Sequence, residues 1–184
     1  MNHVHSGLLA GLSALAAAGT AQASLLPVFN GTAGGPGANT TFNYNLAFST
    51  SGGAAPVERL ENGDFVTIYD IPGFVSATAP ANFSVSTQLT GINAPGTAPN
   101  DDAALTNVTF RYTGPTLGAD AVFLGASLVS SFGFVGSDNF TSQTHRFPDG
   151  SLIGHIGTVA VPAVPEPGAL MFIGALPLAL MRRR

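Results

Sequence analysis

The sequence contains no cysteine, no tryptophan and no lysine. Without cysteine there is neither a disulfide framework nor a thiolate metal site, so an apolar core and backbone ladders must hold the fold together. Without lysine there is no Ser-x-x-Lys nucleophile, and Ser137-Asp138-Asn139, which matches one β-lactamase element, stands alone as a chance string. Charged residues make up only 9% of the chain. Between residues 24 and 163, three arginines (Arg59, Arg111, Arg146) stand against nine acids: Glu58, Glu61, Asp64, Asp70, Asp101, Asp102, Asp120, Asp138 and Asp149. A nucleic-acid footprint needs clustered cations, so nucleic-acid partners are excluded. No Gly-x-Ser-x-Gly elbow, His-x-x-x-His pair or amphipathic helical stretch occurs in that region.

What is present is concentrated at the two ends. Residues 1–23 have the layout of a secretory signal: an apolar region from Leu8 to Ala18, then Ala21-Gln22-Ala23, a small-x-small site that places cleavage before Ser24. The leading segment has His3 and His5 in place of lysine or arginine. At the other end stand Pro165-Glu166-Pro167, an uncharged run from Gly168 to Met181, and the triplet Arg182, Arg183, Arg184. The two prolines keep the segment around Glu166 extended and open to a processing enzyme. As a helix the apolar run would span about 21 Å at ~1.5 Å per residue, short against a hydrocarbon core of ~30 Å. Pro177 would kink it. The arginines are expected to stay cytoplasmic.

This tail resembles the PEP-CTERM sorting signal of exported bacterial proteins, which likewise joins a Pro-Glu-Pro motif, a short membrane segment and a basic cluster. The stretches Glu61–Asp70 and Thr106–Gly114 look like segments of uncharacterised proteins carrying that signal. The resemblance implies a surface or extracellular-matrix protein of a Gram-negative bacterium, exported, held transiently in the inner membrane and processed by an exosortase-type membrane transpeptidase. Its implied partners are signal peptidase, the export machinery, that transpeptidase, the membrane and an exopolysaccharide. It implies no activity and no cofactor.

Between the ends, the pattern is that of strands. Phe42, Tyr44, Leu46 and Phe48 alternate with polar or small residues, the period of a half-buried strand. Asn62-Gly63 reads as a tight hairpin turn, and Asp64–Asp70 as a central strand apolar on both faces. Asn82 to Leu89, Leu105 to Tyr112 and Ala121 to Val129 alternate in the same way, the last with Val122, Leu124, Ala126 and Leu128 in register. Phe132 and Phe134 begin a short strand, Phe140 to Phe147 reads as an edge strand, and Leu152 to Val161 closes the domain after the Pro148-Asp149-Gly150 turn. The glycine-rich stretch after Pro27 reads as a loop. The expected organisation is a signal peptide (1–23), a flexible lead-in (24–38), an all-β antiparallel sandwich (39–161) and the sorting tail (162–184). The sandwich is jelly-roll or immunoglobulin-like, flanked by a signal helix and a transmembrane helix.

Candidate chemistry inside the domain is thin. His145 on an edge strand and His155 in an apolar strand read as solvated, and Glu58 with Glu61 as two solvated carboxylates rather than an opposed glycosidase pair. Asp101 and Asp102, in a polar loop, are weak calcium candidates: hard oxygen ligands without the Asp-x-Asp-x-Asp-Gly pattern. The reading is therefore non-enzymatic, a surface or matrix protein. The alternative is a secreted carbohydrate-binding module, possibly calcium-dependent, using Phe29, Tyr44, Phe74 and Tyr112.

Overall fold

The computed structural model describes residues 24–34, 39–50, 57–147 and 149–165. They form β1 (Ser24–Ala33), β2 (Thr40–Ser49), β3 (Glu58–Arg59), β4 (Phe65–Ile71), β5 (Phe74–Thr78), β6 (Phe83–Gln88), β7 (Thr106–Tyr112), β8 (Ala121–Ser130), β9 (Phe134–Arg146) and β10 (Leu152–Ala163). Two antiparallel sheets pack face to face. One has the order β1-β2-β8-β5, the other β10-β9-β4-β7-β6, with β3 added against β9. The expected sandwich is thus present. The expected signal helix and transmembrane helix fall on residues outside the described ones. Among the described residues no helix is long and apolar enough to cross a membrane.

The alternation of residues 40–49 is a true core face. Phe42, Leu46 and Phe48 are buried with Tyr44, and meet Val66, Ile68, Val108 and Phe110 from the facing sheet. The expected loop at 24–38 is corrected: Ser24–Ala33 is strand β1. Leu25 and Pro27 are buried and Leu26 and Val28 exposed, and the Phe29 ring packs against Phe42 and Tyr44, 6.2 and 5.7 Å between centroids. Pro27 is tolerated because β1 is an edge strand, where one side of the backbone needs no ladder partner. The described strands therefore run from Ser24 to Ala163.

Three further expectations change. Phe140–Phe147 is not an edge strand. It is the second half of β9, which starts at Phe134 and lies between β10 and β4. The polar Ser137-Asp138-Asn139 stretch stays extended because β10 pairs with it residue by residue, Ala160 to Ser137 and Thr158 to Asn139. Val122 and Leu124 do not share the core face with Ala126 and Leu128; they are 59% and 69% exposed. A bulge opposite Tyr44/Asn45 inverts the alternation. It is centred on Gly125, whose φ of +96° suits a residue without a side chain. Finally, Asn62-Gly63 does not close a hairpin. β3 and β4 pair with successive stretches of β9 (Arg59 with His145, Phe65 with Gln143), and residues 60–64 loop out between them.

The second sheet is covered on its outer side as well. The 89–105 loop crosses it, and Tyr69 Oη lies 2.9 Å from the Ile92 carbonyl, 2.8 Å from Asn93 Oδ1 and 2.9 Å from Thr141 Oγ1. The loop runs so close to β10 that a Cβ on Gly154 would sit 2.0 Å from the Pro95 carbonyl oxygen. This second layer explains why every residue of β4 is buried.

Candidate functional site: a charged strap and an acidic end

The 60–64 excursion forms a strap across one end of the sandwich. Leu60 and Leu117 exchange backbone hydrogen bonds of 2.9 and 2.8 Å. Gly63 N–H donates to the Tyr112 carbonyl and Tyr112 N–H to that of Asp64. Within the strap, the Glu61 amide donates to Asp64 Oδ2 (2.8 Å) and the Asp64 amide to the Glu61 carbonyl (3.0 Å). This local reciprocity brings the Asp64 side chain, fully buried, under the strap.

Two histidine–carboxylate pairs fasten this strap to the β9–β10 hairpin. His145 Nδ1 lies 3.0 Å from Asp64 Oδ1 and 3.1 Å from Oδ2, and its Nε2 lies 3.6 Å from Glu61 Oε2. On the opposite face, His155 Nε2 lies 3.1 Å from Glu58 Oε2, which also accepts from Thr144 Oγ1. Glu58 is 4% exposed. Burial pushes the Asp64 carboxyl above its ordinary range; the Glu61 amide, His145 and Gln143 pull the other way. Arg59 pairs with Glu61 and its guanidinium lies over the Phe147 ring. Arg111 donates to the Gly63 carbonyl and lies over Phe65. A cleft of about 370 Å³ opens beside the strap, lined by Val57, Glu58, Arg146, Phe147 and Ile153. All three arginines of the domain and both of its histidines thus gather at one end. The solvated reading of Glu58, His145 and His155 is corrected, because strand pairing sets each histidine against a carboxylate that packing has removed from water. The one sequence signal was the isolation of these two histidines in strands flanking a single turn.

Among the described residues, the charged groups gathered at the opposite end are acids. Asp70 is buried with a φ of +53°, and its Oδ1 accepts from the Asp102 amide. Burial raises its carboxyl above the ordinary range, and the charges of Asp138, Asp101 and Asp102 push it further the same way. Burial raises Asp138 too. Asp101 and Asp102, the calcium candidates, spend their oxygens on loop geometry. Asp101 accepts from the Gly91 amide and Asn107 Nδ2, and Asp102 Oδ1 from the Ala104 amide. Among the described residues no group of three or more ligating side chains is placed to hold a metal ion. The sugar-platform candidates are also committed elsewhere. Tyr44 and Tyr112 are buried, and Phe29 and Phe74 pack partly buried onto the core.

Of the expected sorting residues, Pro165 is the last described one. Glu166, Pro167, Arg182, Arg183 and Arg184 lie outside the described residues, as do Ala21 and Ala23 of the expected cleavage site. Ser24 opens β1 beside Ser49, at the strap end. β10 ends with Ala163 opposite Phe134, and Val164 borders a 260 Å³ depression with Asp70, Leu105 and Asp138, at the acidic end. No family model, curated protein or solved structure matches the chain.

Proposed function

We propose that this chain is a non-enzymatic exported protein of the bacterial surface or extracellular matrix, delivered by its N-terminal leader and sorted and cut by an exosortase-type transpeptidase at Pro165-Glu166-Pro167. The observation that carries the reading is the tail: Pro-Glu-Pro, an uncharged run and three terminal arginines in that order. The geometry of the domain supports it. The last buried residues of β10 are Val161 and Pro162 and the strand stops at Ala163, so the described sandwich ends before the motif begins. Ser24 and Val164 lie at opposite ends of the sandwich. A tether at the tail would hold the acidic end near the membrane and present the strap end outward. The pairs β6–β7, β5–β8 and β4–β9 nest one inside the next, which favours the jelly-roll alternative over the immunoglobulin-like one.

Mass spectrometry of the protein recovered from an exosortase-containing host tests this. The expected product starts at Ser24 and lacks the tail, and Glu166→Gln accumulates in the longer membrane-bound form. A mature protein that still ends at Arg184 overturns the reading and leaves the tail an anchor.

A further inference from the structure

The charges of the domain are divided unequally between its two sheets. β1, β2, β5 and β8 contain no acid, no arginine and no histidine. The acids and arginines between residues 24 and 163 all lie on the second sheet or in loops. The outer face of the first sheet is therefore uncharged, and part of it is apolar. Register sets Leu26, Ala47 and Val122 in one row across β1, β2 and β8, and Val28, Asn45 and Leu124 in the next. Leu26, Val28, Val122 and Leu124 are all exposed. Plain alternation from the buried Ala126 and Leu128 would carry Leu124 and Val122 inward. The bulge at Gly125 turns them out instead, and bulges are a means of re-aiming side chains.

We propose that this face docks a second copy of the chain, sheet against sheet, about a two-fold axis through the patch centred on Asn45. A two-fold contact sets one patch against itself, so the patch must not carry charge of one sign. The domain has nine acids and three arginines, and two copies repel wherever their acidic surfaces meet. On the outer face of the first sheet nothing repels, and burial of the aliphatic rows drives association. The nearest acid, Asp120, stands at the rim just before β8, where the amide and the hydroxyl of Thr50 both donate to it.

The face is large enough. β1, β2 and β8 have 10 residues each and β5 has 5. At ~4.8 Å between strands and ~3.3 Å per residue they present about 550 Å². Two such faces together remove about 1,100 Å² from water, past the ~1,000 Å² that a specific interface needs. Beyond the aliphatic rows the same face is polar but uncharged: Asn43 lies beside Ser127, which pairs with Thr78 of β5. Hydroxyls and amides at that end serve as a rim that hydrogen-bonds across the contact or to trapped water. An interface of this size and make-up gives reversible, concentration-dependent association.

Other occupants fit this face less well. A sugar ring stacks on an exposed aromatic, and the aromatic side chains of these four strands all pack toward the core. A lipid surface draws basic residues and, at its interface, Trp and Tyr; the outward positions of this sheet have none of them. Edge-to-edge pairing through β1 is blunted by Pro27, which lacks an N–H, and by the bulge between Phe29 and Thr32. The flat of the sheet is what remains for a partner of the same composition.

The chain has no cysteine, so a single introduced one is a clean probe. Leu124→Cys lies in the patch, and Ser86→Cys, on the exposed side of β6 in the other sheet, is the reference. Each full-length variant is treated in mild detergent, at micromolar concentration, with a short bismaleimide. Leu124→Cys should give at least about tenfold more cross-linked dimer than Ser86→Cys, because sites held in one complex meet at roughly millimolar effective concentration. Adding Val28→Asp and Val122→Asp to Leu124→Cys should lower its yield to that of the reference. Equal yields from Leu124→Cys and Ser86→Cys overturn the proposal, and that comparison needs no aspartate variant to fold. A Leu124→Cys yield unchanged by the two aspartates overturns it as well. So does a Leu124→Cys chain that neither cross-links nor reacts with a water-soluble maleimide, because lipid or another segment of the chain then covers the face. Association through the tail would raise both positions alike, and none of these outcomes depends on cutting at Pro165-Glu166-Pro167.

Discussion

The two ends of the sandwich solve the same problem differently. Each buries an aspartate beside β4, Asp64 before it and Asp70 near its end. At Asp64 the desolvation cost is opposed by an amide, a glutamine and a histidine. At Asp70 it is opposed by one amide and made worse by three carboxylates. Burial alone therefore says little about whether a charge stabilises; its neighbours decide the sign. The strap end spends charge on closure, and the acidic end stores repulsion where the chain leaves the domain.

The largest test asks whether both ends depend on one core. Leu46→Asp places a carboxylate without a partner between the sheets and should unfold the domain, costing ~4 kcal/mol or more. Asn43→Asp, one strand position from the buried Phe42, lies on the other face and should fold normally. Chemical denaturation monitored by circular dichroism separates them.

Next come the two aspartates. Asp64→Ala removes the acceptor for the Glu61 amide, His145 and Gln143 and should destabilise by about 1–3 kcal/mol. Asp70→Asn should do the reverse and stabilise at neutral pH by roughly 0.5–2 kcal/mol. Asparagine keeps the acceptor for the Asp102 amide and tolerates the positive φ, but lacks the charge. If both substitutions destabilise equally, the contrast between the ends is wrong.

The acidic end also predicts a pH slope. The folded-state carboxyls of Asp70 and Asp138 are raised, so the stability linked to their protonation is complete below the ordinary carboxylate value and lost as pH rises through the folded ones. Melting temperature should fall by this contribution as pH rises above the ordinary carboxylate range, and added salt should recover part of it. Asp70→Asn should flatten the slope. The smallest effect is expected on the exposed face of β8. Leu124→Thr should change stability by no more than about 0.5 kcal/mol, because the Gly125 bulge has already turned that side chain to solvent.

The chain's own pattern carried the all-β class, the core face of β2 and the central position of β4. In each case buried and exposed residues alternate within one strand, or fail to, and that is local information. The proposed reading of the tail rests on information of the same local kind, since prolines, an uncharged run and terminal arginines act through composition and order. Other features depended on partners distant in sequence. β1 exists because an edge position accepts Pro27, and β9 is continuous because β10 lies along its whole length. The face of Val122 was decided by a single bulge. The strap was beyond sequence reasoning for the same cause: Glu58 and His155 lie 97 residues apart and Asp64 and His145 81. No spacing rule links such pairs. Only strand register brings them to hydrogen-bond distance, and only packing removes them from the water that would otherwise have made them ordinary surface charges.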